Sequence, residues 1–133
     1  MDHDKLIALA EQARSNSYAV YSDFTVGAAL LCSDGSIYMG CNIENASFTP
    51  TCCAERVAIF SAIADGKREF CAIAVAGGKK GSSSLNKCYP CGVCRQVLSE
   101  FCDERLEVIF SDGTKTSLSE LLPFSFGLNN MQK

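Results

Sequence analysis

Histidine is nearly absent from this chain of 133 residues; the single one, His3, stands in the polar opening MDHDKL. Ser-His-Asp and Cys-His nucleophile systems need an internal imidazole base, so the sequence argues against both. His3 itself is read as a solvated side chain of a leading tail rather than a ligand. Long hydrophobic runs are missing too: none approaches the roughly 18 residues of a membrane-spanning helix, and the acidic opening has no export-signal character. Basic tracts are equally scarce. The formal net charge is −3, and KREF and GGKKG are too short to track a polyanion. The expectation is a cytoplasmic chain with neither a membrane nor a nucleic-acid partner.

Cysteine, by contrast, is abundant. Nine of them without an export signal favour a reducing compartment, and the odd count argues against a closed disulfide framework. Metal binding then becomes the better account of the clustered ones. Cys32, Cys41, Cys71 and Cys102 lie in apolar runs and are expected to be small buried hydrophobes. With 47% apolar and 20% charged residues, residues 1–133 are expected to form one domain.

Along the chain, Asp4 is placed to cap a first helix in which Leu6, Leu9, Ala10 and Ala13 recur at helical spacing. TVGAALLC (25–32), SDG and SIYMGC (36–41) read as a hairpin turning at Asp34-Gly35, and residues 106–117 repeat that pattern. Between the hairpins lie two units of one design. A helix from about Cys53 to Asp65 leads into the strand FCAIAVA (70–76), and a helix from about Cys91 to Cys102 leads into LEVIF (106–110). FCAIAVA shows no polar alternation, as expected of a central strand covered on both faces. Val57, Ile59, Phe60 and Ile63 surround much of the first of these helices, which predicts that it too is buried.

Two consecutive helix-to-strand units in one sheet place their strands parallel and their helices side by side. The stretches TCCAER (51–56) and PCGVCR (90–95) then start neighbouring helices that point the same way. Packed helices lie about 8–10 Å apart, a gap that a zinc ion with Zn–S bonds of about 2.3 Å bridges with a modest tilt of its ligands. Cys53, Cys91 and Cys94 fit that position, where unpaired N–H groups and the helix dipole favour thiolates. Three protein ligands leave a tetrahedral ion one open corner. A closed structural site with Cys52 or Cys88 as fourth thiolate is the competing reading. Glu55, in the first turn of its helix, serves either as a proton carrier beside that corner or as an acid favoured by the dipole. Arg56 is placed to offset the net negative charge of three thiolates on Zn²⁺. Arg95 is either a second such group or an exposed helix residue.

Cys-Ala-Glu followed by Pro-Cys-x-x-Cys resembles the zinc nucleoside deaminases. The more specific likeness is to the small homotetrameric cytidine deaminases. It extends over nearly the whole chain through YAVYSDFTVGAALL, GCNIENASF, CCAERVAIFSAI, PCGVCRQVLSEF and ELLPFSF. The resemblance implies a three-layer α/β/α sandwich with a five-stranded mixed sheet, in which Cys53, Cys91 and Cys94 hold zinc and Glu55 shuttles protons. It further implies that Phe24 stacks on a cytosine base and that Ala54 borders the substrate. Asn42 and Glu44 would grip the ribose 3′-hydroxyl, while Ala46, Phe48 and Phe126 would serve pockets shared between subunits of a homotetramer. Cytidine and 2′-deoxycytidine are the implied substrates, in pyrimidine salvage.

Three departures stand out. Phe48 replaces a tyrosine usual in that family, Val20 replaces a proline, and the loop GGKKGSSSLNKCY (77–89) is longer than usual and carries the extra Cys88. A polynucleotide deaminase, a deaminase of a cytosine-bearing antibiotic and a non-catalytic zinc-stapled module remain as alternatives.

Overall fold

A computed structural model describes residues 3–83 and 85–128. Helix α1 (His3–Ala13) runs into a 3₁₀ turn (Arg14–Asn16), followed by strands β1 (Phe24–Cys32) and β2 (Ile37–Cys41). Then come α2 (Ala54–Ala64), β3 (Phe70–Lys79), α3 (Gly92–Phe101), β4 (Glu107–Phe110), β5 (Lys115–Ser117) and the short α4 (Leu118–Leu121). The strands form one sheet in the order β2-β1-β3-β4-β5. Only β3 and β4 run parallel, with Ala74 opposite Ile109, because α3 carries the chain back across the sheet between them. The two hairpins supply the antiparallel pairs β1–β2 and β4–β5, and β1 also pairs antiparallel with β3.

Alternation along each strand divides the core into two layers. Leu6 and Ala10 of α1 pack on Ala29, Ala72, Ala74, Ala76 and Ile109. On the opposite face Ala58, Ile59 and Ala62 of α2 and Leu98 of α3 pack on Ala28, Leu30, Ile73 and Val108. The result is the α/β/α sandwich with a five-stranded mixed sheet expected from the sequence. Small residues set the spacing. A Cβ added at Gly27 would lie 1.9 Å from the Ala10 carbonyl oxygen, and one at Gly40 would lie 2.4 Å from that of Ala54. Both helices therefore rest directly on strand backbone, and the start of α2 is held in place by its contact with β2.

Several expectations are corrected. Asp4 does not cap α1: the helix already includes His3, whose Nε2 lies 3.4 Å from Glu107 rather than in a free tail. Phe60 is 45% exposed, and Val57 and Ile63 are only half-buried. The face of α2 that meets the sheet is Ala54, Ala58, Ile59 and Ala62, since close approach demands small side chains and turns the bulky ones outward. Cys71 is exposed at the beginning of β3, with its sulfur 3.5 Å from Ser33 Oγ. Cys32 is buried as expected; Cys41 and Cys102 are half-buried. β3 continues to Lys79, absorbing the first residues of the segment read as a loop, and Gly77 bridges to Asn86.

Replacing Gly27 with Ala forces α1 away from β1. The expected cost is roughly 3 kcal/mol, seen as a lower urea midpoint at unchanged m-value; an unchanged midpoint would show that α1 does not rest on the strand.

Candidate metal centre and substrate cleft

The topology gathers one end of the sheet. β1 begins there at Phe24 and pairs with the end of β3 at Lys79, and β2 finishes there at Cys41 opposite Gly27. Helices α2 and α3 both start at the same end, where Cys53 and Cys91 occupy the N-cap positions in extended backbone conformation. The Cys53 and Cys91 sulfurs are 3.7 Å apart, and those of Cys91 and Cys94 are 3.3 Å apart. All three ligand atoms lie within 4.8 Å of one another. Tetrahedral zinc with Zn–S bonds of about 2.3 Å holds its sulfurs about 3.8 Å apart, so the donor set suits that ion in both chemistry and spacing.

Neither candidate fourth thiolate belongs to this group. Cys88 Sγ instead lies over Gly77, 2.5 Å from where a Cβ on that residue would stand. Burial, followed by the charge of Glu55, raises its pKa and keeps it a thiol. Burial likewise raises Cys52. Among the described residues the one grouping of metal-ligating side chains is Cys53, Cys91 and Cys94.

Charge is unevenly shared among the sulfurs. Hydrogen bonding from the Cys94 thiol, from Arg56 and from Cys91 lowers Cys53 to about 5, against the effect of burial. Cys94 is shifted upward, first by its hydrogen bond to Cys53 and then by burial. Arg56 donates from Nη2 to Cys53 Sγ at 3.5 Å and to the Thr51 carbonyl at 3.2 Å, while its buried Nε has no hydrogen-bond partner. The guanidinium thus lies against the sulfur cluster, as the charge argument requires. Arg95 does not: its Nε donates to the Pro90 carbonyl at 2.8 Å and its Nη1 to that of Leu121 at 2.9 Å. It ties the start of α3 to the end of α4.

Glu55, in the first turn of α2, is only 4% exposed. Burial raises its carboxyl to about 7, with the Cys53 charge adding to the shift. A surface acid favoured by the helix dipole would lie in solvent; this one faces a cleft of about 360 Å³ beside the sulfurs.

Phe24, Asn42, Glu44, Cys53, Ala54, Glu55 and Cys91 share that cleft, while Cys94 lies buried behind it. Asn42 is held by β1, accepting the Val26 N–H on Oδ1 at 2.8 Å and donating from Nδ2 to the Phe24 carbonyl at 2.9 Å. Ala46, Phe48 and Phe126 lie outside the cleft; Phe48 is 92% exposed and Phe126 61%. The sequence reading missed Val26, Val75 and Tyr89 as cleft walls. Val26 follows Phe24 by two residues on one strand, and that spacing alone puts both on one face. Tyr89 stands edge-on to Phe110, with ring centroids 5.0 Å apart, a contact with no local sequence signal.

A three-sulfur centre facing a cleft with a buried carboxyl is the arrangement of a catalytic rather than a closed structural metal site. The chain belongs to the cytidine and deoxycytidylate deaminase family, whose zinc-binding region model matches residues 1–110. It is 46% identical over 135 residues to a cytidine deaminase of Sporosarcina psychrophila, covering 98% of this chain and 96% of that one. It is 45% identical over 135 residues to another from Halalkalibacterium halodurans, covering 98% of each. The fold superposes on the crystal structure of cytidine deaminase from Burkholderia pseudomallei with a TM-score of 0.86 at 48% identity, covering 95% of this chain and 100% of that one.

Elemental analysis tests the ligand set. Cys88→Ala is expected to keep the zinc content of the unaltered protein and Cys94→Ala to lose it; loss of metal from the Cys88 variant would restore the four-thiolate arrangement.

Proposed function

We propose that the chain, acting as one catalytic domain, hydrolyses cytidine and 2′-deoxycytidine to uridine and 2′-deoxyuridine with release of ammonia, in pyrimidine salvage. The observation that carries this reading is Glu55: a carboxyl buried at the cleft face of a three-sulfur centre. Cys53, Cys91 and Cys94 would hold zinc, which supplies the Lewis acidity that brings a water's pKa down to about 7.

Glu55 takes one proton from the attacking water and places it on N3 of cytosine, then carries the second, from the new C4 hydroxyl, to the departing amine as the C4–N bond breaks and the hydroxyl becomes the carbonyl. A group that cycles between base and acid works best with a pKa near the operating pH, and burial has moved Glu55 toward it. Arg56 donates to Cys53 and offsets part of the negative charge that three thiolates bring to the centre. Phe24 offers its ring to the base, and Ala54 borders it at the start of α2. Asn42 and Glu44 take the ribose 3′-hydroxyl.

The rings of Phe48 and Phe126 are largely exposed and are open to contact with a second subunit. They support assembly into a homotetramer in which Ala46, Phe48 and Phe126 border the pockets of neighbouring subunits. The chain is cytoplasmic in this account, and none of its described helices is long and apolar enough to cross a membrane. Its net charge of −3 gives a polynucleotide no general attraction.

Glu55→Gln is expected to keep zinc and nucleoside binding while turnover falls by roughly 10²–10⁴-fold, followed by the loss of cytidine absorbance. A cytosine-containing oligonucleotide should remain unchanged in the same assay. Undiminished turnover by the variant would remove Glu55 from the reaction, and efficient attack on the oligonucleotide would replace the nucleoside with a polymer substrate.

A further inference from the structure

The Glu44 carboxylate at the cleft wall is already largely occupied. Its Oε1 accepts the backbone N–H groups of Tyr21 at 2.9 Å and of Ser22 at 3.1 Å, and its Oε2 accepts the Ser22 hydroxyl. An ionised carboxylate offers about four acceptor positions. One, on Oε2, is left for a donor in the cleft.

Ser22 reaches further than Glu44. A hydroxyl has one proton, which goes to the carboxylate, and its oxygen accepts the Phe24 N–H at 3.1 Å. The Phe24 carbonyl is taken in turn by Asn42. One serine oxygen therefore links the carboxylate of the cleft to the backbone that carries its aromatic ring. Between them Asp23 adopts φ 61°, a left-handed conformation uncommon outside glycine but tolerated by aspartate. Two bonds hold it there, from Asp23 N–H to the Ala19 carbonyl at 3.0 Å and from Lys80 N–H to the Asp23 carbonyl at 2.8 Å. Tyr21, Ser22 and Asp23 are all exposed, so the constrained turn serves no core. Its polar groups converge on Glu44. The Ser22 hydrogen bond is also the largest cause holding the Glu44 carboxyl below its ordinary range, which keeps it an acceptor.

The structure assigns Ser22 the role of a positioning residue for sugar recognition: its turn holds Glu44 so that a single acceptor position faces the substrate. This rests on the nucleoside reading of the cleft and adds a consequence to it. A carboxylate with one open position engages one sugar hydroxyl and cannot grip both hydroxyls of a cis-diol. Loss of the other hydroxyl then leaves no buried group unpaired.

Steady-state kinetics with cytidine, 2′-deoxycytidine and 3′-deoxycytidine test this in the unaltered chain, Ser22→Ala and Ser22→Thr. In the unaltered chain, removing the 3′-hydroxyl should lower kcat/KM by about tenfold or more, the scale of a lost charge-assisted hydrogen bond. Removing the 2′-hydroxyl should change it by less than about threefold. Ser22→Ala should raise KM for cytidine by about tenfold with kcat within about twofold, the signature of lost uniform binding. Its discrimination against 3′-deoxycytidine should shrink below about threefold, and Ser22→Thr should restore both. Full 3′ discrimination in Ser22→Ala would overturn the role of Ser22 and leave the nucleoside reading intact. Equal use of cytidine and 3′-deoxycytidine by the unaltered chain would overturn the sugar role of Glu44, and that of Ser22 with it.

Discussion

Everything at the functional end of this molecule depends on two helix starts meeting above one end of the sheet. The parallel pair β3–β4 requires α3 to cross back over the sheet, and α2 enters the same layer from the end of β2. Their N-caps, Cys53 and Cys91, then face each other with sulfurs 3.7 Å apart. The closeness is obtained by removing bulk: Gly40 of β2 meets the backbone of Ala54 and Ala58 directly. A side chain at that position would lift the start of α2 and separate Cys53 from the Cys-x-x-Cys pair.

The same convergence creates an electrostatic problem and answers part of it. Unpaired N–H groups and the partial positive charge of two helix ends favour thiolate at the caps, and the Arg56 guanidinium adds a full positive charge against Cys53. For Glu55, one residue before Arg56, burial outweighs the help of a backbone hydrogen bond and of the Arg56 charge, and pushes the carboxyl toward neutrality. Adjacent residues of one helical turn are thereby given opposite tasks, one stabilising negative charge on sulfur and the other poised between protonation states. A bound cation would favour the carboxylate form of Glu55, which would couple metal loading to the protonation of that side chain.

How much of this was legible in the sequence varies with the range of the cause. Local signals succeeded: the Asp34-Gly35 turn, the unbroken apolar run of β3, and the cysteines at two helix starts gave the hairpins, the central strand and the grouping of Cys53, Cys91 and Cys94. Features set by packing partners distant in sequence did not show. Phe60 looks like a core residue until the sheet-facing side of α2 proves to be three alanines and Ile59, and Cys71 looks buried until the beginning of β3 proves to be open. Arg95 finds its acceptors at Pro90 and Leu121, the second supplied by a helix that the apolar pattern does not reveal. That helix, α4, does carry a local sign: Ser117 and Glu120 form a capping box. The turn at Ser22 lies within the stretch YAVYSDFTVGAALL, but its hydrogen bonds to Glu44 join residues 22 apart, which no local pattern reveals.

Because the geometry of the caps determines how many sulfurs can reach one ion, the coordination number of sulfur is the most direct test of the account. X-ray absorption at the zinc edge of the metal-loaded protein should show three sulfur neighbours at about 2.3 Å and one lighter atom. Four sulfur neighbours would contradict it, since Cys52 or Cys88 would then close the face toward which Glu55 is buried.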